Sequence, residues 1–173
     1  MALERRMGPP GSAVWHSMLD GAEVVLRDEG YGALTSRRIA EVIGVKQRLI
    51  YYYFRTMDEL IVEMFRRLAT RDLERLTEAL AGDLSLQQVW ELCIDNADTR
   101  LTSEFVALAN RIEALRSEVI AYSEKVRTML ADALATAQGS GRPGGIPPVA
   151  AAFLATSAAI ALHREAAIGM TMG

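Results

Sequence analysis

Lys46, Gln47 and Arg48 stand in a row, and Tyr51, Tyr52 and Tyr53 follow within "RLIYYYF" (48–54). Glutamine can hydrogen-bond adenine through two atoms at once, and arginine can do the same with guanine. A phenol can donate to a phosphate oxygen. On a helix, Tyr51 lies one turn beyond Gln47 and Tyr52 one turn beyond Arg48, so the four share a face. Ile50 and Phe54 are also four apart and point inward with Ile39, Ala40 and Val45. Three consecutive helical residues span about 200° of arc, so the three tyrosines cannot all be core. The whole chain carries a net charge of −3. Residues 36–55 nevertheless hold five bases (Arg37, Arg38, Lys46, Arg48, Arg55) against one acid, Glu41. Donors, phenols and local positive charge on one face are suited to nucleic acid.

The elements that must hold this face are helical. Thr35 or Ser36 caps a short helix to about Ile43, Gly44 makes a turn, and a second short helix covers about 46–53. Helix, glycine-containing turn and helix form the helix-turn-helix pattern, whose second helix enters the DNA major groove. Ahead of it, Ser12 caps a helix to about Glu29 that Gly30 ends, with Trp15, Met18 or Leu19, Ala22 and Val25 or Leu26 at helical spacing. Gly21 inside that helix costs up to ~1 kcal/mol relative to alanine, which points to close packing there. After it, Thr56 and Glu59 form a capping box for a long helix from Met57 to near Gly82. That helix turns Leu60, Met64, Leu68 and Leu73 or Leu76 inward. Four more helices are expected at 85–100, 103–115, 117–137 and 147–168, with "GSGRPGGI" (139–146) as a loop. Residues 1–11 read as a loose tail. Strand-like alternation is absent, so the fold class is all-α.

The stretch "EGYGALTSRRIAEVIGVKQRLIYYYFRTMDEL" (29–60) resembles the N-terminal domain of the tetracycline-repressor (TetR) family of transcriptional regulators. Gly30-Tyr31, Thr35, Ile39-Ala40, Gly44-Val45, Ile50 through Phe54, and Leu60 carry the likeness. The resemblance implies that Ser36 and Arg37 contact the DNA backbone, with Arg37 also in reach of a base. It implies base reading by Gln47, Arg48 and Tyr51, and backbone contact by Tyr52 and Tyr53; Tyr53 could equally turn inward. Lys46 adds a donor at the start of the same helix. Three positions depart from the family pattern. Ile43 replaces an alanine before Gly44, Arg48 replaces a small residue, and Met57 replaces a lysine that reaches a phosphate. Arg55 is the candidate substitute for that lysine.

The same resemblance implies a DNA-binding domain over 1–56 and a helical ligand-binding and dimerisation domain over 57–173. The protein would be a homodimer, paired through its last two helices, on a palindromic double-stranded DNA operator. Helix 117–137 carries the stripe Val119, Tyr122, Val126, Met129, Leu130, Ala133, Leu134 and Ala137. Helix 147–168 is apolar nearly all round and must be buried on most sides, for which a subunit interface is the natural means. Trp90, Ile94, Phe105, Ala109, Ile112, Tyr122, Met129 and Phe153 are candidates to line a pocket for a small, mainly apolar effector. Asn96 or Asn110 would orient it, although every one of these residues is equally explained as core. The single cysteine, Cys93, excludes an intrachain disulfide and reads as buried filler. His16 and His163 stand alone, so no metal is expected. No cofactor and no enzyme chemistry are expected either, because no Ser/His/Asp arrangement or phosphate loop is present. The N-terminus lacks a signal peptide's apolar core, and 149–162 is too short for a membrane span, so a cytoplasmic protein is expected. The competing reading is a helical protein-interaction module without specific DNA binding.

Overall fold

The computed structural model describes residues 9–95, 99–138 and 145–170. Among these residues eight α-helices follow one another: α1 Ala13–Glu29, α2 Ser36–Val42, α3 Gln47–Tyr53, α4 Met57–Ala79, α5 Leu86–Asp95, α6 Thr99–Ala109, α7 Glu113–Gln138 and α8 Pro148–Ala167. A 3-10 turn, Tyr31–Ala33, lies between α1 and α2. No strand occurs among the described residues. The chain divides into two compact units, Met1–Leu68 with Glu104–Glu118, and Ala69–Ser103 with Val119–Gly173.

In the first unit the expected caps are in place. Ser12 Oγ accepts from Trp15 N at 3.2 Å, Thr35 Oγ1 from Arg38 N at 3.1 Å, and Thr56 Oγ1 from Glu59 N at 3.1 Å. Glu59 also reaches back, accepting from the amide of Arg55 at 2.7 Å. The inward positions form one core: Met18, Leu19, Ala22, Val25, Leu26, Ile39, Ala40, Ile50, Phe54, Leu60 and Met64 are all buried. Gly44, at φ +70°, takes the left-handed turn that a side chain would resist. Gly21 is buried against that turn, and a Cβ built on it lies 2.5 Å from Ile43 Cγ2. The larger residue before Gly44 thus sits where α1 has no side chain at all.

The expected helix 103–115 ends earlier, at Ala109, and α7 begins at Glu113 rather than at 117. Arg116 accounts for the break. Its Nε donates to Ala109 O at 3.0 Å and its Nη2 to Asn110 O at 3.2 Å, satisfying carbonyls at the end of α6. Ile112 is buried within the turn. Phe105 meets Phe65 edge to face at 5.0 Å, which ties 104–118 to the first unit.

In the second unit α4 stops at Ala79 and Gly82 takes φ 113°. Ser85 and Gln88 then cap α5 reciprocally, at 3.3 and 2.9 Å. Leu76, Val89, Cys93, Val126, Leu130, Ala131, Leu134, Ala152 and Ala155 make the core. Burial pushes the Cys93 thiol up to about 11. The Tyr122 hydroxyl donates to the Asp72 carboxylate, which also pairs with Arg75. Burial, reinforced by the bond to Asp72, raises the phenol well above the ordinary tyrosine range. Within its own unit helix α8 is buried along one side only. It buries Ala152, Ala155 and Ala159 completely, while Val149, Phe153, Leu154, Ile160 and Leu162 remain exposed.

Candidate nucleic-acid interface

Ile50 and Phe54, 1% and 2% exposed, fix α3 to its unit, and the Trp15 ring stacks on Phe54 at 6.1 Å. That anchoring decides what faces out. Lys46, Gln47 and Arg48 are exposed, and so are Tyr51 and Tyr52. Tyr53 is half-buried, its ring edge-on to Tyr52 at 5.4 Å.

Two of the outward residues converge on α2. Gln47 Nε2 donates to Ser36 Oγ at 2.9 Å, and Ser36 Oγ donates to the Tyr51 hydroxyl at 2.9 Å. Ser36 itself is only 4% exposed. The resemblance assigns it a DNA-backbone contact, whereas in the structure its hydroxyl is turned inward and engaged twice. Spacing along α3 relates Gln47 to Tyr51, but a shared partner 11 and 15 residues away leaves no trace in local periodicity.

The positive charge of the region is partly compensated. Arg37 Nε pairs with Glu41 at 2.9 Å, and Arg38 pairs with Glu29 at 2.8 Å and with Glu41 at 3.4 Å. Hydrogen bonding from Arg38 lowers the Glu29 pKa, and that from Arg37 lowers the Glu41 pKa. Glu29, at the end of α1, lies outside the 36–55 window yet belongs to the same cluster. The Arg37 side chain is still 80% exposed, so a phosphate can compete for it. Met57 opens α4 half-buried, followed by Asp58 and Glu59.

Residues 18–64 match the family model described as bacterial regulatory proteins, tetR family. Over that segment the chain is similar to the tetR family. It is 23% identical over 114 residues to the fatty acid metabolism regulator protein of Bacillus subtilis (strain 168). That match takes in 65% of this chain and 58% of the relative, so the chain spans somewhat over half of that protein's length. The fold is similar to that of a transcriptional regulator from Rhodococcus sp. Rha1, with a TM-score of 0.74 at 21% identity, covering 88% of this chain and 82% of the other. It is also similar to FadR from Bacillus subtilis, solved in complex with stearoyl-CoA, with a TM-score of 0.62 at 18% identity and 88% of each chain covered.

The residues that the sequence offers as pocket lining are distributed over both units. Phe105, Ala109 and Ile112 are buried in the first. Tyr122 and Met129 pack against the core of the second, where Trp90 and Phe153 are exposed at 44% and 49%. The side chain of Ile94, together with Asn96 and the side chain of His163, lies outside the described residues. A cavity of about 380 Å³ opens in the second unit, lined by Leu80, Leu84, Val89, Met129 and Ala133, with Thr77, Asp132 and Thr136 as polar groups. Of the seven nominated residues whose side chains are described, only Met129 lines it. Among the described residues no group of three His, Cys, Asp or Glu could hold a metal ion, and no helix is long and apolar enough to cross a membrane.

Proposed function

We propose that this chain is a regulator of the tetR family, a sequence-specific DNA-binding repressor that binds a palindromic operator as a homodimer and releases it when a small, mainly apolar effector binds. The observation that carries the reading is the exposed row Lys46, Gln47, Arg48, Tyr51 and Tyr52 on a helix whose opposite side, Ile50 and Phe54, is buried. Arg48 places a long, planar donor where the family has a small residue, which favours a guanine in the half-site.

The dimer is supported by α8, whose largest apolar side chains stay exposed on its own unit. Burying that face against a second copy satisfies it, and the two-fold axis matches a palindrome. The second unit's cavity, with apolar walls and three polar groups, supports a small ligand. A structural relative crystallised with stearoyl-CoA makes long-chain acyl thioesters the first compounds to assay. The effector favours a dimer whose recognition helices no longer match the spacing of the half-sites.

A gel shift with the parent protein and Arg48→Ala tests the reading on duplexes selected from the source genome. Loss of Arg48 costs about 1–3 kcal/mol on the preferred duplex and relaxes preference at one base pair. Identical shifts for parent and variant would remove Arg48 from base reading. No salt-sensitive shift on any duplex would favour the interaction-module alternative.

A further inference from the structure

We propose that Ser36 is a positioning residue for base reading, its buried hydroxyl setting the amide of Gln47 and the phenol of Tyr51 together; this rests on the DNA-binding function proposed above. A serine hydroxyl has one hydrogen and two lone pairs. Ser36 Oγ accepts from Gln47 Nε2 and gives its own hydrogen to the Tyr51 oxygen, both at 2.9 Å. At 4% exposure the hydroxyl is sheltered from water that would otherwise compete.

Counting hydrogens gives the consequence. The Tyr51 oxygen has accepted, so its own hydrogen is directed away from Ser36, on a side chain 39% exposed. That hydrogen is available to an acceptor on DNA, either a phosphate oxygen or a base acceptor such as guanine O6. Gln47 gives one amide hydrogen to Ser36 and keeps one N–H beside its carbonyl oxygen. That adjacent pair matches adenine, where N7 accepts and the N6 amino group donates. An unrestrained amide presents nitrogen and oxygen in either order. The bond to Ser36 selects one order, so α2 determines what α3 can read.

The test uses the full-length protein and a duplex pool with a randomised centre, from which the parent selects its preferred sequence. Dissociation constants are then measured by fluorescence anisotropy, at one salt concentration, on that duplex, on its single-base-pair variants and on a scrambled duplex. Ser36→Ala is expected to bind the selected duplex about tenfold more weakly, within the range of one bidentate base contact, and the scrambled duplex unchanged. Its preference should flatten at the pair read by Gln47. Tyr51→Phe leaves the ring in place but removes the acceptor that holds the Ser36 hydrogen. That hydrogen can then turn to the Gln47 carbonyl, so preference at the Gln47 pair should relax here too, although phenylalanine offers no hydrogen bond to a base. Equal losses on both duplexes, or an unchanged preference at the Gln47 pair in either variant, overturn the proposal while leaving DNA binding intact. A parent that enriches no sequence overturns the DNA-binding reading and this proposal with it.

Discussion

Gly21→Ala should destabilise the first unit, against the usual direction of a helical glycine replacement. Alanine in mid-helix gains up to ~1 kcal/mol over glycine. Here the new methyl would lie 2.5 Å from Ile43 Cγ2, where carbon atoms prefer about 3.5–4.0 Å. Ile43 caps the end of α2, and Gly44 follows in a left-handed turn, so its backbone has little freedom to retreat. Overpacking of this kind costs about 1–3 kcal/mol, and against a propensity gain of up to ~1 kcal/mol it leaves a net loss of up to about 2 kcal/mol. For a chain of this length that is a fall in Tm of up to roughly 8 °C, readable by far-UV circular dichroism. Ile43→Ala provides the control. With Cγ2 gone, the nearest atoms to a Cβ at position 21 are Ile39 Cγ2 at 3.6 Å and Ile39 O at 3.7 Å, both ordinary contacts. In that background Gly21→Ala should become stabilising. A rise in Tm on the parent background, or the same penalty on both, would refute the packing argument.

Met57→Lys should restore one phosphate contact, tightening binding to every duplex alike and steepening the log–log salt dependence by about 0.9; a gain confined to the preferred sequence would contradict it. The Cys93 thiol rises from 9.0 to about 11 in the folded protein, so the unfolded chain ionises first. Below pH ~9 Cys93 adds nothing to the pH dependence of stability. Between about 9 and 11 it lowers stability by at most ~1.4 kcal/mol per pH unit. Urea titrations of parent and Cys93→Ala across that range should give a shallower pH slope for the variant, and parallel slopes would count against a buried thiol. Tyr122→Phe removes the hydrogen bond to Asp72, whose side chain is 17% exposed, and should cost about 1–3 kcal/mol in urea unfolding; an unchanged midpoint would mean that the bond contributes nothing net.

Residues 12–60 are legible in detail because short-range chemistry determines them. Ser12, Thr35 and Thr56 each bond a backbone amide three residues on, a relation visible in sequence. The two faces of α3 follow from helical spacing and the aliphatic or polar character of each residue. What periodicity could not show are relations between elements. The junction of Ser36 with Gln47 and Tyr51, and the pairing of Glu29 with Arg38, depend on how α1, α2 and α3 are placed. The α6–α7 break was misplaced because Arg116, a good helix former, acts on the preceding helix through its side chain. In the C-terminal half apolar and polar residues are interspersed along every helix, so composition alone does not separate core, cavity and outer face. Trp90 and Phe153 are the clearest cases, both suited to a pocket and both exposed.

Helix α8 seats itself on its own unit with Ala152, Ala155 and Ala159, and carries Val149, Phe153, Leu154, Ile160 and Leu162 on its other sides. The first set holds the protomer together; the second has no part in that core. Mutations in the two sets therefore face separate selective constraints. In the proposed dimer, duplicated copies could diverge at 149, 154, 160 and 162 until each pairs only with itself, while the buried alanines stay unchanged. Pairing identity and protomer stability would then drift independently along a single helix.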